Sequence, residues 1–369
     1  MSEWQDFIFG NIAEFSYGTM PKQEKLGHGK YPTFSGYKYQ YKYPEFNCDK
    51  DDLIVVARGV GGTGDIKITR EKCYLTNLSI KIKANKSILD NKYFYYLFSQ
   101  ETLRYLDSGS AQSQITINDL SKIILNLPSL QEQKAISSVL SSLDEKIALL
   151  HRQNKTIEAM AEALFKKWFV EEANADWEEV TVGDFVELNR ASIDKSYPHE
   201  TIEYLDTGSL TDGKIDSLQS LFLDKAPSRA KRLVQHNDVL ISTVRPDQNH
   251  YGIIKNPIEN LVVSTGFCVL TCTQIDPHFI YLLLTNSGMT DYLHTIAEGS
   301  TSTYPSLKPS DIGAITFQRP PDYRLKEFAD IAQNSWEKIE KNYIQMRTLE
   351  KLRDTLLPKL MSGEVRVVY

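Results

Sequence analysis

The chain repeats itself, and each copy closes on a long helix. The first copy ends with Ser129-Leu-Gln-Glu-Gln-Lys-Ala-Ile136, then Asp144-Glu-Lys-Ile147, then Phe165-Lys-Lys-Trp-Phe169. The second runs from Tyr323-Arg-Leu-Lys-Glu-Phe328 through Trp336-Glu-Lys-Ile339 to Leu357-Pro-Lys-Leu-Met361. A constant shift of 192 carries Pro128 onto Pro320, Glu145-Lys146-Ile147 onto Glu337-Lys338-Ile339, and Gln153 onto Gln345. A globular unit plus a helix, used twice, predicts a pseudo-twofold molecule suited to a ligand with two sites at a fixed separation.

The first helix is defined from its start. Ser129 and Glu132 form a capping box after Pro128. Ile136, Leu140, Leu143, Ile147, Leu150, Asn154, Ile157, Ala161, Leu164 and Trp168 then step four-three-four-three, a heptad seam interrupted by Asn154 alone. Phe328, Ala332, Ser335, Ile339, Asn342, Met346, Leu349, Arg353, Leu356 and Leu360 hold the equivalent places in the second helix, where Pro358 is expected to kink or end the last turn. Roughly 40 residues span about 60 Å, too long a stripe for one small domain to cover. The two helices are therefore expected to pair antiparallel. Full overlap makes facing residue numbers sum to roughly 492 and sets Leu150 beside Asn342. The alternative is that each helix folds onto its own unit as ordinary core.

The globular parts repeat with more drift. Trp4 and Gly10 match Trp177 and Gly183, Asp52-Leu-Ile-Val55 matches Asp238-Val-Leu-Ile241, and Arg58 matches Arg245. Asp90 and Asp276 are placed to cap helices over 91–106 and 277–296, with Pro277 at a first helical position. Gly109-Ser110 matches Gly299-Ser300, and Asp119-Leu120 matches Asp311-Ile312. The β-branched runs 53–56, 75–82, 239–243 and 262–270 read as strands, and the glycine-rich 59–64 reads as a hairpin turn. The fold class is α+β: two mixed α/β domains in a pseudo-twofold arrangement, joined by two long antiparallel coiled-coil helices. The boundaries expected are 1–128 and 173–320 for the globular domains, with 129–172 and 321–369 for the helices and tail.

Composition narrows the function. The 369 residues leave room for two or three cores, and no apolar run approaches a membrane span; Phe279-Ile-Tyr-Leu-Leu-Leu284 is among the longest. The start, Met1-Ser-Glu-Trp-Gln-Asp6, lacks a signal pattern, so a cytoplasmic location is expected. Cys48, Cys73, Cys268 and Cys272 have no metal-ligand spacing and read as buried free thiols. No Lys-Ser/Thr follows the glycine-rich turn, so a phosphate loop is absent. Neither an Asn/Asp-Pro-Pro-Tyr/Phe motif of adenine or cytosine methyl transfer, nor a spaced acidic partner for Glu71-Lys72, nor a Ser-His-Asp arrangement among seven histidines is present. Catalysis within this chain is not expected.

Nucleic-acid contact is the stronger reading. Lys22, Lys25, Lys30, Lys38 and Lys42 alternate with Tyr31, Tyr37, Tyr39, Tyr41 and Tyr43 against a single Glu24. Lysines neutralise phosphates, and tyrosines offer hydroxyls and stacking faces. The second half offers Arg229, Lys231 and Arg232, then Arg245 with Gln248, Asn249 and His250, groups able to bond base edges. The polar loops holding Gln112 and Gln114, and Thr301, Thr303 and Tyr304, occupy equivalent places, and Arg58, opening the glycine-rich loop, is a further candidate. Each patch read alone is also an ordinary solvated loop. A net charge of −6 argues against a wholly basic coat, so contact must rest on local patches or on a partner's charge.

At this point the chain resembles the specificity subunits of type I restriction–modification enzymes over nearly its whole length. Asn126-Leu-Pro-Ser-Leu-Gln-Glu-Gln-Lys-Ala-Ile136 is similar to that family's Pro-Leu-x-Glu-Gln entry into a central helix, and Leu356-Leu-Pro-Lys-Leu-Met-Ser-Gly-Glu-Val365 to the end of its distal helix. Asp238-Val-Leu-Ile-Ser-Thr-Val-Arg-Pro246 with Val263-Ser-Thr-Gly-Phe-Cys-Val-Leu270 resembles one type of its target recognition domain. Asp52-Leu-Ile-Val-Val-Ala-Arg-Gly59 with Leu75-Thr-Asn77 resembles another. The second helix departs from the entry motif, reading Pro320-Pro-Asp-Tyr-Arg-Leu-Lys326.

The resemblance implies a non-catalytic subunit whose two recognition domains each read half of a split site in double-stranded DNA, with the helices setting the spacer. It implies two methylation subunits along the helices, with Trp168 and Phe169 near one docking end, and restriction subunits joining for cleavage. AdoMet and ATP would bind those partners, leaving no cofactor in this chain. Alternatives are the recognition half of another methyltransferase or nuclease system, and a coiled-coil scaffold carrying two domains that bind something other than DNA.

Overall fold

The structure, a computed structural model, describes residues 4–36, 38–59, 62–107, 113–299 and 305–367. The chain divides into two compact units, Met1–Leu149 with Gln345–Tyr369, and Leu150–Ile344. Each long helix therefore contributes one half to each unit.

In the first unit, β-branched runs form a four-stranded antiparallel sheet in the order Ala13–Tyr17, Ser79–Ala84, Leu53–Val56, Ile66–Ile68. Leu53 to Val56 are wholly buried because this central strand is covered on both faces. Gln5–Ile8 pairs antiparallel with Ile124–Leu127, bringing the chain's start to the entry of the central helix. A smaller sheet runs Lys38–Tyr43, Tyr31–Ser35, Tyr74–Leu75, its last pairing parallel. Run 75–82 is thus not one strand. It breaks at Thr76-Asn77-Leu78 and serves both sheets. Asp90 accepts from the Tyr93 amide at 2.8 Å as an N-cap. The helix it starts stops at Leu97, and a 3-10 turn, Leu103–Leu106, replaces the expected continuation. The described glycine-rich residues, Gly59 and 62–64, lie between the paired strands Leu53–Val56 and Ile66–Ile68; Gly64, at φ +93°, leaves no room for a Cβ against the Arg104 amide.

The second unit repeats this plan. Its antiparallel sheet runs Val186–Leu188, Phe267–Cys272, Val239–Ser242, Tyr251–Ile253, the same first-fourth-second-third order in sequence. Glu179–Thr181 pairs with Thr316–Gln318 as the entry ribbon. The smaller sheet runs Gln219–Phe222, Thr201–Leu205, Leu261–Ser264, Ala230–Leu233, one strand more than its counterpart. Run 262–270 splits between sheets, here at Thr265-Gly266, where the Ser264 hydroxyl accepts from the Gly266 amide at 3.1 Å. Asp276 caps Pro277–Thr285, but the helix ends there. Asn286 stops it and caps a second helix, Ser287–Glu298, accepting from Met289 N at 3.0 Å.

The central helix, Leu130–Lys166, continues through a π-turn, Lys167–Glu171; the distal helix is Asp322–Met361. Ser129 Oγ accepts from the Glu132 amide at 3.3 Å, as its capping role requires. Pro358 does not end the distal helix. Buried Leu357 and Leu360 hold the final turn onto the first unit's core. Described seam positions on both helices are all buried or half-buried, and the pairing is antiparallel in each unit. The expected register is off by about one helical turn. Asn154, not Leu150, meets Asn342, which donates Nδ2 to the Asn154 Oδ1 at 2.7 Å, while Asn154 Nδ2 reaches the Ile339 carbonyl at 3.4 Å. In the first unit Arg353 Nη1 meets Asp144 Oδ1 at 2.9 Å in nearly the same register. Two buried amides select this alignment because any other strands both of them in an apolar seam.

Candidate nucleic-acid interface

In the first unit, the lysines cluster on the smaller sheet and the loop leading into it. Lys22, Lys30, Lys38 and Lys42 are exposed. Lys25 is engaged elsewhere: its ammonium donates to Glu45 Oε1 at 2.5 Å, and that bond raises its pKa above the ordinary lysine value. Lys30 lies over the Tyr31 ring at 4.9 Å, and Lys42 Nζ reaches the Lys30 carbonyl at 3.5 Å, so these two cations share one rim. Tyr39 faces inward. Its ring packs edge-on to Phe34, its hydroxyl accepts from the Arg70 amide at 2.9 Å, and burial pushes its pKa up. Tyr39 therefore supports the sheet and presents no free hydroxyl outward. Tyr37 lies outside the described residues.

Arg58 and Gln114, distant in sequence, form an isolated antiparallel bridge. Asp107 fixes the Gln114 segment, accepting from its amide at 2.8 Å and from the Ser113 hydroxyl at 2.5 Å. The second unit places Val244 opposite Ser306 in the same kind of bridge, and the Arg245 amide donates to the Pro305 carbonyl at 3.2 Å. Both units thus bring the segment around an arginine, Arg58 or Arg245, against described residues at the end of a polar loop, Gln114 or Pro305 and Ser306. Gln112, Thr301, Thr303 and Tyr304 lie outside the described residues.

The 245–250 loop is tightly built. Arg245 and Asn249 both take the left-handed conformation, at φ +49° and +56°, around the turn Pro246–Gln248. His250 Nδ1 faces the Leu210 carbonyl at 2.8 Å and its Nε2 faces Gln248 Oε1 at 3.2 Å. His250 therefore anchors the loop to the hairpin Leu210–Thr211/Lys214–Ile215, and Asn249 is half-buried beside it. Arg245 and Gln248 remain on the exposed side. Arg229 is exposed just before the edge strand Ala230–Leu233 and Lys231 is exposed on it, where a bulge makes Lys231 the unpaired residue of the ladder. Arg232 instead turns back to the Ser192 hydroxyl, at 3.2 Å.

Trp168 and Phe169 are half-buried in their own unit. Phe169 packs edge-on to Phe165, Phe279 and Phe328, and the Arg324 guanidinium covers Trp168 at 5.4 Å. Apolar side chains that do face outward sit off the heptad seam: Met160 (67% exposed) and Ile344 (53%) in the second unit, Leu149 and Leu352 in the first. Met160, Leu149 and Leu352 each adjoin a seam position in sequence, and Ile344 lies midway between two of them.

Among the described residues no His, Cys, Asp and Glu grouping could hold a metal, and no helix is long and apolar enough to cross a membrane. Cys48, Cys73 and Cys268 are buried free thiols, and Cys272 is half-buried.

The type I restriction enzyme MjaIX specificity subunit of Methanocaldococcus jannaschii is 27% identical over 327 residues, covering 79% of this chain and 73% of that one. The MjaVIII specificity subunit of the same organism is 22% identical over 351 residues, covering 88% and 81%. In fold, the chain matches a crystal structure of the type I restriction-modification system S subunit from M. genitalium, with TM-score 0.70, 21% identity, and coverage of 97% and 96%. The family model described as the type I restriction modification DNA specificity domain matches residues 1–159 and again 174–346. With both halves matched, the chain belongs to the type I restriction–modification DNA specificity family.

Proposed function

We propose that this chain reads a split target in double-stranded DNA, one half with each unit, and positions two methylation subunits, which restriction subunits join for cleavage. One observation carries the reading: two units share a sheet order and loop placement yet differ in the residues those loops present. A shared scaffold with different reading groups fits two half-sites of unlike sequence better than one palindromic site. The contacts proposed in the first unit are Lys22, Lys30, Lys38, Lys42, Arg58 and Gln114. In the second they are Arg229, Lys231, Arg245 and Gln248.

In this reading the chain is non-catalytic, and AdoMet and ATP belong to the partner subunits. Methylation subunits would dock on outward helix residues such as Met160 and Ile344, with Trp168 and Phe169 shaping that surface from beneath. The net charge of −6 fits a reader whose partners supply much of the phosphate-neutralising charge. The test is to replace residues 20–125 with the matching segment of a relative and map methylation by the assembled complex. A change in one half of the motif alone supports the reading. Methylation unchanged by the swap, or methyl transfer by the purified chain alone, contradicts it.

A further inference from the structure

The hairpin of Tyr31–Ser35 and Lys38–Tyr43 contains a feature that the sequence pattern conceals. Its outer strand is a sheet edge. Lys42 pairs with Pro32 and Tyr39 with Phe34, so Gln40 and Tyr41 together face the single residue Thr33. This is a β-bulge, fixed by the Thr33 hydroxyl donating to the Tyr41 carbonyl at 3.0 Å. A bulge re-aims side chains that strict alternation would send to opposite faces. Both Gln40 and Tyr41 are exposed here, Tyr41 by 63%. With Gly27, Lys38 and Lys42 they line an open depression of about 560 Å³.

Gln133 and Gln219 have their amides bonded within the protein. Among the described residues the Gln40 amide has no hydrogen-bond partner. It lies between Lys38 and Lys42, and no acidic residue occurs from 25 to 44. A two-stranded ribbon fits the DNA major groove, which is about 12 Å wide, and a glutamine amide pairs with both N6 and N7 of adenine. The equivalent strand of the second unit, Gln219–Phe222, lacks this character. Its Gln219 bonds Asp206 at 2.8 Å and its Ser220 bonds Glu203 at 2.5 Å, so carboxylates line it.

We propose that the bulged ribbon of Tyr31–Ser35 and Lys38–Tyr43 enters the major groove of one half-site and that Gln40 reads an adenine there, with Lys38 and Lys42 on the flanking phosphates. The inference rests on the proposed function and adds to it a specificity-determining residue and an asymmetry between the two readers. The experiment maps methylated motifs made by the complete complex of this chain with its methylation subunits, for wild type, Gln40→Ala, Gln40→Glu and Lys42→Ala. Gln40→Ala should lose roughly 5- to 150-fold of its preference at one A·T position of one half-site, the other half and the spacer staying as they were. Gln40→Glu should shift that position toward cytosine, whose N4 group donates to a carboxylate. Lys42→Ala should weaken binding across all sequences without altering the motif. A Gln40→Ala motif identical to wild type, or uniformly weakened at every position, overturns the inference while leaving the split-site reading in place. A wild-type motif without two halves removes that reading and the inference with it.

Discussion

Gln133 shows how one residue of a helix-entry motif ties a helix to the unit before it. It is buried, and its Nε2 donates to the carbonyls of Ile88 and Pro128, both at 2.9 Å. Its Oε1 accepts from the Asp90 amide at 2.9 Å. Asp90 in turn caps the helix Asn91–Leu97, so one amide links the central helix to the recognition unit's own helix. Replacing Gln133 by Ala leaves three backbone groups without a partner in a site that water does not reach. The expected loss is about 2–4 kcal/mol, read as a lower denaturant midpoint for the first unit. A loss under about 0.5 kcal/mol would mean that these bonds re-form with water and that the motif glutamine has another purpose.

At the scale of elements, the helices carry a register that only the fold reveals. The seam was legible because apolar residues at 3.5-residue spacing have one physical explanation, a long paired helix. The offset was not, because Asn154 and Asn342 are each a blemish in a heptad until they face one another. Replacing both by Leu should raise the denaturation midpoint of the second unit, since a buried polar pair is exchanged for apolar packing. Asn342→Leu alone should destabilise by about 1–3 kcal/mol, leaving the Asn154 amide short of a partner. Additive effects of the two single substitutions in a double-mutant cycle would show that the pair is not coupled. The strand runs were visible for the same reason as the seam, yet two of them divide between sheets at Thr76-Asn77 and Thr265-Gly266. A continuous β-branched stretch hides such a crossing because both sides of it are buried. Candidate contact residues were legible as charge and less so as exposure. Lys25 is held by Glu45, Tyr39 by the Arg70 amide, and His250 by the Leu210 carbonyl, partners distant in sequence that composition cannot reveal. Gln40 escaped notice for the converse reason: its exposure follows from a bulge opposite Thr33, which alternation alone would not place.

For the whole molecule, duplication of scaffold and divergence of loop and edge chemistry are the two facts that matter. The larger sheets agree strand for strand in their order, and the entry ribbons agree. The smaller sheets differ in strand number and in the charge beside their equivalent edge strands, basic at Lys38 and Lys42 along Lys38–Tyr43, acidic at Glu203 and Asp206 along Gln219–Phe222. Two readers of unlike chemistry on one repeated frame predict a target of two unlike parts. The direct measurement is the methylation map of DNA exposed to this chain with its methylation subunits and S-adenosylmethionine. The account predicts a motif of two short, non-identical sequences separated by a fixed run of unspecified bases. A continuous motif, or a palindrome read identically in both halves, would contradict it.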